Sequence, residues 1–308
     1  MARGKKVLAI RSMKHLRFLL GLTSEQLNAI LQHPENYFRE FKSEIKGKMR
    51  DLVDVKPPLK SALKKLNARL QLISLPAYMQ GGVKGRSSVT NALIHAGADT
   101  VLKADIKAFF PSIGFRRVET MFRTRLHCSK EVSAAMATLC TYNDTLPQGS
   151  PTSTMVANFV IEHLAYRLHK LAEQHGARYS QYVDDIAISG PRHVEALKPL
   201  VARIITEENF TCHPDKLIVC RAGEEHEVTG VRVDHGKDIP SKKLRDVRAD
   251  IMAATETKEP MSEKDSRSLG GKVQHITMLN RGAGNFLKKQ LSRARKKTAQ
   301  LPDNKSKD

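Results

Sequence analysis

The chain is expected to be an α+β protein: a small antiparallel sheet backed by helices, followed by a basic helical region. Three observations predict this. Long stretches carry apolar residues at helical spacing. Two shorter stretches, 100–106 and 179–189, have strand character, and the second turns back on itself as a hairpin. From residue 241 onward the apolar positions lie among many lysines and arginines.

Residues 13–75 read as mostly helical. Thr23 to Gln26 fits a capping box, with Thr23 as N-cap, and Leu27, Ile30 and Leu31 follow at helical spacing. Pro57-Pro58 breaks the pattern, and a second helix is expected over 59–72 with Leu63, Leu66 and Leu70 on one face. Residues 81–90 form a Gly-rich basic loop. A strand over 100–106 carries Asp105 at its end, and Phe109-Phe110-Pro111 turns the chain. Helical patterns fill 115–141. The Gly/Pro/Ser loop 147–153 opens a long helix, with Ser150 or Thr152 near its cap and Pro151 tolerated in the first turn. Its stripe of Met155, Phe159, Val160, Leu164, Leu168 and Leu171 is core, and Gly176 stops it. After the 179–189 hairpin come a helix over 194–208 and strands at 217–220 and 226–233. The chain from 241 is helical and basic, and the polar tail 299–308 is expected to be disordered. There are no internal repeats.

With 308 residues and 40% hydrophobic content, the chain can bury a sizeable core. Its 52 Lys+Arg against 32 Asp+Glu give a net charge of +20. Such an excess suggests a polyanionic partner, nucleic acid first and an anionic membrane surface second. No apolar run approaches the roughly 20 residues of a spanning helix, and the basic start lacks a signal-peptide core. No membrane partner is expected. None of Cys128, Cys140, Cys212 and Cys220 lies in a C-x-x-C pair, so reduced thiols in a cytoplasmic protein are expected, not a zinc site or disulfides. Trp is absent and aromatics are 5%, which excludes a broad base-stacking platform.

The chemistry begins with Gln181-Tyr182-Val183-Asp184-Asp185-Ile186. Adjacent acids in a hairpin usually mark an ordinary solvated turn. Here apolar residues flank them, so the acids sit at the edge of a buried sheet, a place that favours a divalent cation. Asp105 adds an acid on a second strand end. Together the three can supply the bridging oxygens that a pair of magnesium ions needs. The loop Leu146-Pro-Gln-Gly-Ser-Pro-Thr-Ser153, opening a helix, can place backbone N–H groups against a phosphate or base pair.

The order D-I-K-A-F-F-P-S-I, L-P-Q-G-S-P-T-S, Q-Y-V-D-D resembles motifs A, B and C of reverse transcriptases. Tyr78 to Ser88 resembles the fingers motif before motif A, and Pro214-Asp215-Lys216 resembles motif D. Asn91-Ala-Leu-Ile-His95 and Val228-Thr229-Gly230 are similar to the N-A-x-x-H and V-T-G motifs of retron enzymes. The resemblance covers about residues 20–295 and departs at two places. Val183 stands where most retron enzymes have alanine, a position that the resemblance links to fidelity, and motif D reads His213-Pro-Asp-Lys-Leu217 in place of Asn-x-x-Lys-Thr.

The resemblance implies a right-hand polymerase: N-terminal helices and fingers over 1–97, a ferredoxin-like palm over 98–235 with helices at 115–145, and a basic helical thumb over 236–298. It implies Asp105, Asp184 and Asp185 as catalytic metal acids, with the Ile106 carbonyl completing a shell around two Mg2+ ions, for which Mn2+ could substitute. Phe110 falls at the steric gate against a 2′-OH. Gln148 and Gly149 border the incoming dNTP, Lys216 meets pyrophosphate, and Arg50 and Arg86 grip triphosphate or template. Asn91, His95, Val228, Thr229 and Gly230 serve an RNA partner or its framing. Lys242, Lys243, Arg245 and Arg248 are phosphate contacts on a duplex. For His95 a satisfied buried histidine is an equal expectation. The implied activity is 2′-OH-primed copying of a cognate structured noncoding RNA into DNA, in antiphage defence with a separate effector or toxin protein. Another bacterial reverse transcriptase, defence-associated or group II intron-like, is the alternative, and a non-catalytic RNA-binding scaffold stands further off. No RNase H domain is visible in the sequence.

Overall fold

A computed structural model describes residues 7–45, 47–224, 226–233, 239, 241–256 and 261–299. The expected tail lies outside these residues apart from residue 299. In chain order the helices are α1 (Met13–Leu20), α2 (Ser24–Gln32), α3 (Leu59–Leu70), α4 (Ser88–Leu93), α5 (Phe115–Thr120), α6 (Lys130–Cys140), α7 (Ser153–Val160), α8 (Glu162–Gln174), α9 (Lys198–Glu207), α10 (Ser241–Glu256), α11 (Glu263–Leu279) and α12 (Arg281–Ala299). The strands are β1 (Phe38–Ile45), β2 (Lys48–Val55), β3 (Thr100–Asp105), β4 (Arg178–Tyr182), β5 (Asp185–Gly190), β6 (Ile218–Cys220), β7 (Glu227–Val228) and β8 (Val231–Arg232).

Two compact units emerge, one of residues up to 87 together with 100–219, the other of 88–99 together with 220 onward. The first holds a sheet of order β4-β5-β3-β6, antiparallel at β4/β5 and β5/β3. Helices α7 and α8 bring Met155, Val156, Phe159, Leu164 and Leu168 into its core, beside Leu102, Ile186 and Ile188 of the strands. Four of the six stripe residues are buried, while Val160 and Leu171 pack partly exposed at its margin. The expected single helix is two helices. At Ile161 (φ −92°, ψ 5°) the backbone leaves the helical path, yet the side chain stays fully buried, so the stripe runs on across the break.

The capping box forms as expected: Thr23 Oγ1 accepts from the Gln26 N–H, and Gln26 Oε1 accepts from the Thr23 N–H. Helix α3 buries Leu63, Leu66 and Leu70. The mostly helical reading of 13–75 is overturned at 38–55, where β1 and β2 form an antiparallel hairpin. This ribbon buries little. Phe41 and Met49 are 42% and 65% exposed, so burial never imposes the apolar/polar alternation by which a strand is recognised. Between α5 and α6 one turn of π-helix (Met121–Arg125) interrupts the helical stretch.

In the second unit, α4 packs on the β7/β8 hairpin, and α10, α11 and α12 pack together. Leu269, Val273, Ile276, Leu287 and Leu291 are buried in this unit. No helix among the described residues is long and apolar enough to cross a membrane.

Candidate active site

Strand pairing brings the three acids to one edge of the sheet. In β3/β5 Asp105 stands directly opposite Asp185, and in β4/β5 Tyr182 stands opposite Asp185. Only Val183 and Asp184 are left to make the turn. The Ile106 N–H donates to the Asp184 carbonyl at 3.3 Å, and the His213 N–H donates to the Asp105 carbonyl at 2.8 Å. Asp105 is buried, Asp184 half-buried and Asp185 exposed.

The electrostatics follow from that crowding. Burial pushes the Asp184 carboxyl up from the usual carboxylate range, and the neighbouring Asp105 charge pushes it further, while Lys216 and Arg50 pull it down. Lys216 Nζ lies 2.7 Å from Asp105 Oδ1 and supplies a positive counter-charge. The donor chemistry fits a hard divalent cation: carboxylate oxygens in a site that needs positive charge. As the side chains stand, no three His, Cys, Asp or Glu groups converge as a ligand cluster among the described residues. Lys216, half exposed on a flexible stem, is the group that occupies Asp105 instead.

Other expected site residues lie in the same unit. The Val53 N–H donates to the Gln148 carbonyl at 2.9 Å, tying β2, and with it the exposed Arg50, to the 147–153 loop. Gly149 has φ +123°, and a Cβ there would meet the Val53 carbonyl oxygen at 2.7 Å, so glycine is required for this approach. Ser153 Oγ donates to the Pro147 carbonyl at 2.6 Å and closes the loop on α7. Phe110 is half-buried, its ring 5.4 Å from that of the buried Phe109. Arg86 departs from expectation. Its guanidinium donates to the carbonyls of Pro76 at 2.6 Å, Met79 at 2.5 Å and Leu75 at 2.9 Å. These bonds fold the 75–86 segment around the guanidinium, so Arg86 is a fastener of that loop.

The second unit gathers the two short strings. Thr229 and Gly230 form the two-residue turn of β7/β8, with φ +48° and +77°. Thr229 Oγ1 donates to the Ser88 carbonyl at 2.9 Å and accepts from Asn91 Nδ2 at 3.3 Å. Asn91 is 1% exposed with Oδ1 unpaired, and Val228 is 3% exposed. His95 is fully buried. Lys243 also turns inward, to the Gly230 carbonyl at 3.4 Å and His275 Nδ1 at 3.2 Å. Because the ammonium donates, His275 Nδ1 is the unprotonated nitrogen and Nε2–H faces Ser88 Oγ at 3.5 Å. Lys242, Arg245 and Arg248 remain exposed. Ser88 and His275 were not singled out by sequence, since a lone serine and a lone histidine carry no local signal.

Residues 35–233, more than half of the chain, match the family described as reverse transcriptase (RNA-dependent DNA polymerase). The retron Mx162 reverse transcriptase of Myxococcus xanthus is 31% identical over 94% of this chain and 68% of its own length. The chain belongs to the retron reverse transcriptase family. The retron Se72 reverse transcriptase of Salmonella heidelberg (strain 579083-10) is 28% identical over 74% of this chain and 63% of its own. Against these two retron reverse transcriptases the chain thus spans 68% and 63% of the relative's length. A solved telomerase from Candida albicans, in complex with a fragment of telomeric RNA, aligns over 86% of this chain and 61% of its own with a TM-score of 0.46 and 8% identity, too slight a likeness to carry weight. Reverse transcriptases generally use divalent metal ions, which accords with a carboxylate edge of the kind formed by Asp105, Asp184 and Asp185.

Proposed function

We propose that this retron-family reverse transcriptase copies part of a cognate structured noncoding RNA into DNA, leaving an RNA–DNA hybrid molecule primed from a 2′-OH of that RNA. The register that sets Asp105 opposite Asp185, with Asp184 in the adjoining turn, carries the reading. Asp105, Asp184, Asp185 and the Ile106 carbonyl would hold two Mg2+ ions, with Mn2+ as a substitute. Bound there, the ions would supply Lewis acidity toward the primer hydroxyl and the leaving pyrophosphate.

The chain's own groups do the rest. Phe110 presents a ring against a 2′-OH and so selects deoxynucleotides. The Gln148-Gly149 loop borders the incoming base pair. Lys216 moves from Asp105 toward pyrophosphate and offsets its charge, and Arg50 adds positive charge on the same side. The exposed Lys242, Arg245 and Arg248 contact duplex phosphates, giving the salt dependence that such contacts impose. Residues 1–97, 98–235 and 236–298 serve as fingers, palm and thumb. We place the protein in the cytoplasm, in antiphage defence beside a separate effector protein.

The test is synthesis by purified protein supplied with magnesium, dNTPs and its flanking transcript. Covalently RNA-linked DNA is expected, and D184N/D185N should abolish it while RNA binding persists. Polymerisation by D184N/D185N at the parent rate would remove the metal-site assignment. Synthesis without any RNA linkage would remove the priming assignment.

A further inference from the structure

The turn that carries Asp184 has an unusual first residue. Val183 has φ +61°, a region that β-branched side chains disfavour and that hairpin turns normally fill with glycine or asparagine. Such a conformation persists where surrounding contacts over-determine it. Two arms supply those contacts. In the first, the Tyr179 hydroxyl donates to Gln181 Oε1 at 2.7 Å, and Gln181 Nε2 donates to the Val183 carbonyl at 3.1 Å. Tyr179 is 3% exposed and Gln181 1%, so the first bond is buried and the second partly buried. In the second, Asn158 Nδ2 of α7 donates to the Gly81 carbonyl at 2.7 Å. Gly81 lies so close to the turn that a Cβ on it would sit 2.4 Å from the Val183 nitrogen. The 78–81 segment is sewn to β4 on the way, with the Gln181 N–H on the Tyr78 carbonyl at 2.8 Å and the Gln80 N–H on the Gln181 carbonyl at 2.7 Å.

The geometry points to Asn158 and Tyr179 as positioning residues for nucleotide addition. Asn158 anchors the Gly81 backbone that lies against the turn, and Tyr179 orients Gln181, whose amide holds the Val183 carbonyl. Neither touches the reacting atoms. Between them they keep Val183 at positive φ and thereby fix where Asp184 and Asp185 point. A polar asparagine that is 1% exposed on a core-facing helix is explained by this single bond. The inference rests on the reading of Asp184 and Asp185 as the catalytic acids.

The test is a mutant cycle between Asn158 and Val183. Glycine reaches positive φ without strain, so V183G removes the need for a brace. N158A in the parent protein should lower kcat for dNTP addition about tenfold, the scale of one shielded hydrogen bond, with KM for dNTP and primer–template affinity within about twofold. In the V183G background the same N158A change should lower kcat no more than about twofold. An equal tenfold loss in both backgrounds, a loss confined to KM or template affinity, or no loss at all would overturn the proposal. If N158A does not accumulate as folded protein, Y179F runs the same cycle with the same outcomes, since it removes one oxygen and keeps the buried ring. D184N/D185N measured in the V183G background separates the underlying reading: retained activity there would refute the acids' role and not the brace.

Discussion

Gly81 offers the sharpest perturbation of the acid edge, because its effect is steric alone. Its φ is not in the positive region, so alanine can adopt its backbone, and the contacts decide the outcome. An added Cβ would stand 2.4 Å from the Val183 nitrogen, 2.6 Å from Val183 Cγ2 and 2.9 Å from the Tyr182 carbonyl carbon. Ordinary contact begins near 3.4 Å, so the turn or the 78–81 segment must retreat by about 1 Å. Two of the three obstructing atoms are backbone, so no rotamer change relieves the clash. Overpacking of this kind costs about 1–3 kcal/mol of stability. A displacement of about 1 Å in a reacting constellation costs on the order of 100-fold in rate. G81A is therefore expected to fold with a lowered melting temperature and to extend an RNA-templated primer at about one hundredth of the parent kcat. Gly176 gives the control: it ends α8 at φ +60° with nothing within 4 Å of a built Cβ. G176A should lose about 1–2 kcal/mol of stability through backbone strain and keep its kcat. A folded G81A with parent kcat would refute the claim that this contact sets the position of the acids.

Other outcomes follow from the same geometry. F110V removes the ring assigned to the 2′-OH and should raise ribonucleotide incorporation on the order of 10–100-fold relative to deoxynucleotides in competition assays; unchanged selectivity would refute the steric-gate role of Phe110. K216A removes a charge that pulls the Asp184 carboxyl down, so that carboxyl should titrate higher and the acidic limb of the kcat/KM profile should move to higher pH, together with a rate loss of about tenfold; an unmoved limb counts against the coupling. Burial, and then Lys243, hold the His275 imidazole below its ordinary value of 6.5, so folding favours its neutral form. Stability should fall as pH drops through about 6.5, and H275Q should blunt the fall between melts at about pH 7.5 and about pH 5.5; equal falls in both proteins would exclude His275 as the source.

What the sequence made legible was chiefly local. The Thr23 capping box, the α3 face and the 179–189 hairpin each declare themselves within a few residues, and each forms as expected. The acids were readable as strand-end residues because apolar neighbours flank them on β3 and β5, whereas the register that places Asp185 opposite Asp105 is seen only in the structure, since both faces of β5 are buried. The 38–55 hairpin was not readable, since a ribbon half in solvent is under no pressure to alternate. The contacts of Arg86 were not readable because 52 basic residues look alike in sequence. Three backbone carbonyls, contributed by a segment that folds back, give this one its role, and nothing local announces that. Asn158 was passed over as one polar position in an apolar stripe, although a polar side chain in such a stripe needs a buried partner and so signals one.

The two hairpins that carry the functional strings share a construction, one in each unit. Each turns through two residues, and each begins that turn with a β-branched residue at positive φ, Val183 in one and Thr229 in the other. A glycine would make either turn without strain and without help from its surroundings. A β-branched residue makes the turn depend on what surrounds it. For Val183 the surroundings are Gly81 and the Gln181 amide; for Thr229 they are the Ser88 carbonyl and the Asn91 amide, reached through the threonine hydroxyl itself. The tip conformation thus becomes conditional on correct packing of chain segments distant in sequence, 78–81 in the first unit and 88–91 in the second. In this chain Val183 lies against Gly81, where a side chain would clash with it, and Thr229 accepts from the buried amide of Asn91.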